Sequence, residues 1–161
     1  MKYRYVTIFS LILFILQTTV IQHLDIQGVT PNLPLIMTVI LVLLYGNPTG
    51  VVFAVVSGLI QDSMMSKVLS INLIIYALIA IVIGFIEEKI FKDNFITPIV
   101  LISISTVFYN VVFFLFMYLI KSPIHYSGLA MRISIEIVEN VVIGMFIYRW
   151  AFKKVVGYNL R

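Results

Sequence analysis

Six apolar stretches follow one another along this chain of 161 residues, and no gap between them exceeds about ten residues. That pattern leaves no room for a separate soluble domain, which needs roughly 50 residues. Hydrophobic residues make up 61% of the chain and charged residues 11%, against about 45–50% and 25% in soluble domains. The expected fold is therefore all-α: an integral membrane bundle of about six transmembrane helices, one domain over residues 1–161.

Turn formers and caps place the helices. The first is expected over 5–21, behind Lys2 and Arg4. That apolar run is longer than a signal-peptide core and no small-x-small cleavage site follows it, so it reads as an uncleaved helix. The polar loop 22–32 leads to a second helix over 33–45, with Asn32 as cap and Pro34 in the first turn. Gly46-Asn47-Pro48 breaks the chain. Asn47 is expected to cap a third helix that runs to Asp62, and Ser70 a fourth over 71–86. Thr97-Pro98 should open a fifth over 98–120, and a sixth covers 129–150. The second and third helices are short for a hydrocarbon core of about 30 Å. They read as two crossings in preference to a re-entrant hairpin turning at Gly46 to Pro48.

Basic residues agree with six crossings and cytoplasmic termini. Lys2, Arg4, Lys89, Lys92, Arg149, Lys153, Lys154 and Arg161 then lie inside, and Lys67, Lys121 and Arg132 outside, which accounts for all 11. The net charge of +4 thus follows topology and does not point to nucleic acid. The tail at Lys153, Lys154 and Arg161 is expected to meet anionic membrane lipid, with a cytoplasmic protein as the alternative.

Cysteine is absent, so disulfides and thiolate chemistry drop out. His23, His125, Asp25 and Asp62 match no zinc spacing. No nucleophile–base set, phosphate loop or catalytic carboxylate pair occurs. The expectation is a protein that is not an enzyme, with no catalytic residue, metal or cofactor.

Two features remain. Gly46, Gly50, Ala54 and Gly58 recur every four positions, with Asp62 one step further. Positions i and i+4 share a helix face, and small residues there let a second backbone come close in lipid. Gly50, Ala54, Gly58 and Asp62 are thus candidates for helix packing or partner docking, with Lys67 or Arg132 as a cationic partner for Asp62. The sixth helix carries Glu136, Glu139 and Asn140. An ionisable group at mid-membrane costs roughly 2.5–3.5 kcal/mol on insertion scales, so these groups need a partner. Asn110 of the fifth helix is expected at the same depth, bonded to Glu139 or Asn140. Arg132 is expected to pair with Glu136, four residues on.

Gln17, Pro31-Asn32-Leu33, the run from Gly50 through Gly58 to Gln61-Asp62, and a helix opening near Asn72 together resemble the rod shape-determining protein MreD family. The layout agrees over nearly the whole chain, and the specific motifs over 17–72. The family often has Asp at the place of Asn32 and a further Gly near Ser70. The resemblance implies a non-enzymatic subunit of the bacterial cell-wall elongation machinery. Its implied partners are MreC, RodA, a class B penicillin-binding protein and the filament protein MreB. It also implies a fold similar to the substrate-binding subunits of energy-coupling-factor vitamin transporters, which supplies an alternative function. Against that alternative, residues 1–22 hold neither Ala nor Gly, where such subunits carry a small-residue motif.

Overall fold

The computed structural model describes residues 3–65, 70–87, 94, 96–121 and 128–159. Lys2, Lys67, His125, the charged segment 88–93 and Arg161 lie outside the described residues. The described residues form six α-helices: α1 (Tyr3–Thr19), α2 (Leu33–Tyr45), α3 (Asn47–Met65), α4 (Ile71–Ile86), α5 (Ile96–Leu119) and α6 (Leu129–Asn159), with a 3-10 turn at Ile21–Leu24 after α1. α2 and α4 match the expected limits. α3 runs past Asp62, and α6 runs nine residues past Trp150.

α2 is the axis of the fold. Residues 33–43 are all buried, as expected of a helix that is apolar on every side. Each of the other five helices packs against it. Around it, α1 packs on α3, α3 on α4, α4 on α5 and α5 on α6; among the described residues no comparable packing joins α6 back to α1. The ring of helices is therefore open at one seam. The outer faces are largely apolar, with Ile12, Val82, Ile104 and Val138 among many exposed large side chains. Ile96–Leu119 is the one described helix long and apolar enough by itself to cross a membrane; at 1.5 Å per residue α2 spans only about 20 Å.

The helix starts show which caps operate. Oδ1 of Asn32 accepts the Leu35 N–H at 3.1 Å, as expected. Ser70 does not cap α4: its backbone is left-handed, at φ 77°, and its side chain makes no capping bond. The capping geometry requires an extended backbone, and a left-handed residue turns its hydroxyl away. α5 starts at Ile96, not Pro98, because Oδ1 of Asn94 accepts the Ile96 N–H at 2.9 Å. Asn47 lies inside α3 and its Oδ1 is buried without a partner. Its side chain lies against Gly84 of α4, where a Cβ would come within 2.3 Å of it. Hydroxyls inside the helices are satisfied by the carbonyl four residues back, as Thr38 by Pro34 and Ser57 by Phe53.

Candidate functional site

The small-residue ladder brings helices of this chain together. A Cβ on Gly50 would lie 2.1 Å from a Val42 methyl carbon of α2. A Cβ on Gly58 would lie 2.4 Å from the Leu73 Cα and 2.7 Å from its backbone nitrogen. Ala54 between them is fully buried. The ladder therefore seats α2 on one side and the first turn of α4 on the other, and Leu59 beside it is exposed.

Asp62 explains why α4 comes so close. It is buried, and its carboxylate accepts the backbone N–H groups of Asn72 at 3.1 Å and Leu73 at 2.9 Å, and the Asn72 side-chain amide at 2.8 Å. These backbone donors belong to the first turn of α4, which its own Ser70 leaves open. An anion there also opposes the positive end of the helix dipole. The acid thus finds its counter-charge in a helix terminus. Of the expected cationic partners, Lys67 lies outside the described residues and Arg132 is engaged elsewhere.

A second polar layer ties α2, α5 and α6. Asn140 is fully buried. Its Oδ1 accepts the Asn32 backbone N–H at 2.8 Å, and its Nδ2 donates to the Thr106 hydroxyl at 2.9 Å. Asn110 donates to Oε2 of Glu136 at 2.8 Å and to the Thr106 carbonyl at 2.9 Å. The expected bond from Asn110 to Glu139 or Asn140 is thus replaced by one to Glu136. Helix geometry gives the reason: Glu136 and Asn140 share a face, whereas Glu139 stands about 100° round the helix from Asn140. The expected Arg132–Glu136 ion pair is absent among the described residues. Nη2 of Arg132 donates instead to the Gly28 carbonyl at 3.4 Å.

Glu139 stands outside every network. It is 8% exposed, and neither carboxylate oxygen has a hydrogen-bond partner among the described residues. It lies on α6, the helix at the open seam, and its neighbours Val138 and Val142 are exposed.

Several members of the network escaped the sequence reading. The Tyr76 hydroxyl lies 2.9 Å from both Oδ1 of Asn32 and Oε1 of Gln61. Tyr109 donates to Oδ1 of Asn72 at 2.8 Å. Gln17, named in the sequence only for the resemblance, grips the loop before α2, donating to the Pro31 carbonyl at 2.8 Å and accepting the Leu33 N–H at 2.9 Å. Thr106, one turn before Asn110, could have been found by asking which polar residues share a face with a known buried amide. Tyr76 and Tyr109 gave no such signal, since tyrosines in membrane helices are common at interfaces.

The family model for the rod shape-determining protein MreD matches residues 1–154. No curated protein and no solved structure matches the chain. The residues that carried the resemblance are the ones that hold this fold: Gln17 clamps the loop before α2, Asn32 caps α2, Gly58 admits α4 and Asp62 caps it. The chain belongs to the MreD family of rod shape-determining membrane proteins.

Proposed function

We propose that the protein is a non-enzymatic, multi-pass subunit of the bacterial cytoplasmic membrane that docks a partner's transmembrane helix. The partner is that of MreC, and the result is to position the wall-elongation enzymes RodA and a class B penicillin-binding protein alongside MreB. Both termini are cytoplasmic, and 33–62 crosses twice. In this reading Gly50, Ala54, Gly58 and Asp62 hold α2, α3 and α4 as one rigid body, and α6 presents the docking face.

The observation that carries the reading is Glu139. A buried carboxylate without a partner is costly, and none of the described residues provides a donor for it. A donor on an incoming helix would draw the side chain out between Val138 and Val142 at the seam. Interhelical hydrogen bonds of this kind hold membrane helices together where apolar burial cannot.

The test is co-purification from mildly solubilised membranes with wild type, Glu139→Gln and Glu139→Leu. The expected result is MreC recovery that falls in Glu139→Leu more than in Glu139→Gln, at equal membrane levels of the subunit. Equal recovery in all three would remove α6 as the docking face.

A further inference from the structure

A cavity of about 220 Å³ opens at the end of the bundle that carries the 22–32 loop, between α3, α5 and α6. It is separate from Glu139 and the seam. An empty apolar cavity of about 150 Å³ already admits benzene, whereas pockets for drug-sized ligands start near 300 Å³. The space therefore suits a single ring.

Its walls have unspent hydrogen-bonding capacity. Asn32 and Asn110 line it, and each is 7% exposed. Asn32 uses its Oδ1 on Leu35 and Tyr76, and its Nδ2 makes no bond among the described residues. Asn110 uses its Nδ2 on Thr106 and Glu136, and its Oδ1 makes none. Gln61 adds an amide whose one hydrogen bond among the described residues is with the Tyr76 hydroxyl, 2.9 Å from its Oε1. One wall is aromatic: the Tyr109 and Phe113 rings stack at 5.7 Å, with Phe114 edge-on to Phe113 at 6.1 Å.

We infer that this cavity is a binding site for one neutral sugar ring. Arg132 and Glu136 both line it, one basic and one acidic residue, so the lining has no formal excess of either sign that would select an anion or a cation. An acyl chain would strand the buried amides. A hydroxylated ring answers both kinds of wall. Each hydroxyl both donates and accepts, which serves Nδ2 of Asn32 and Oδ1 of Asn110 alike, and the C–H face of the ring packs on the aromatic rings. The same ring can arrive as a free or soluble sugar or as the headgroup of a glycolipid.

The test is saturation-transfer NMR on the whole protein in lipid nanodiscs free of glycoside detergent, with glucose and N-acetylglucosamine as probes. Irradiation of protein resonances should transfer to the sugar ring protons. Binding should weaken about fivefold in Gln61→Ala, the loss of one hydrogen bond, and vanish in Thr30→Phe, which fills the cavity. Ile104→Ala on the outer face of α5 should leave it unchanged. A dialkyl glycolipid bearing the same sugar distinguishes the sources: tighter binding than the free sugar marks a headgroup site, equal or weaker binding a soluble sugar. No transfer to wild type from any of these probes would overturn the inference. So would equal transfer to Gln61→Ala and Thr30→Phe once their thermal unfolding shows them folded. The protein is used alone, so either result leaves the docking of a partner helix to its own test.

Discussion

Asp62, near the end of α3, accepts both the backbone N–H of Asn72 and its side-chain amide, at 3.1 and 2.8 Å. One buried carboxylate thus supplies, from a neighbouring helix, the cap that α4 lacks at its own Ser70. It also explains the ladder. Gly58 stands one turn before Asp62, and only without a Cβ can the α4 backbone come near enough for that carboxylate to reach it.

Asp62→Ala should leave the α4 donors buried and unanswered, at a cost of about 3 kcal/mol. Asp62→Asn keeps one acceptor and should cost less. Thermal unfolding in detergent micelles would rank wild type above Asp62→Asn and Asp62→Ala lowest. Equal midpoints for the three would show that the carboxylate does not hold α4.

Gly58→Ala should lower stability by about 3 kcal/mol, because the new Cβ meets rigid backbone at Leu73 rather than a movable side chain. Gly58→Leu should do worse, and any loss of partner recovery would follow from the displaced α4. Gly28→Ala is the contrast. Its φ is 78° with nothing within 4 Å of a Cβ, so backbone strain of about 1 kcal/mol is the whole cost. A Gly28 variant as damaged as the Gly58 variant would contradict this account.

Asn140 and Thr106 should be coupled. Asn140→Ala removes the link between the start of α2 and α5, and Thr106→Val removes only one end of it. A double-mutant cycle on unfolding should give an interaction of about 1 kcal/mol. Additive effects would mean that the 2.9 Å contact contributes nothing to stability.

Glu139→Leu should raise the stability of the isolated subunit by about 2 kcal/mol, since it replaces a buried, unpaired carboxylate with an apolar side chain. The same change should weaken partner recovery. Opposite effects on stability and binding separate a docking residue from a structural one. A lower unfolding temperature for the isolated variant would place Glu139 among the structural residues.

Local features were legible in the sequence because their causes are local. Apolar run lengths and turn formers give six helices, Asn32 is a cap three residues from the N–H it accepts, and glycines four apart share a face. Partner choice was not legible. Asn140 bonds Asn32, 108 residues away, and Asn110 bonds Glu136, 26 residues away. The rotation of α6 between α5 and α2 decides which of its acids meets an amide and which meets nothing. A local rule failed outright at Arg132, whose i+4 pairing with Glu136 gave way to the Gly28 carbonyl. Likewise the cap of α4 sits in α3, beyond any pattern within α4 itself. The sequence by itself determined that this chain is a succession of six apolar helices and, to within a few residues, where each starts, since helix formation depends on near neighbours. Only the tertiary structure decided that α2 is the axis, that Glu136 is paired and that Glu139 is not, because those outcomes depend on how whole helices are turned towards one another.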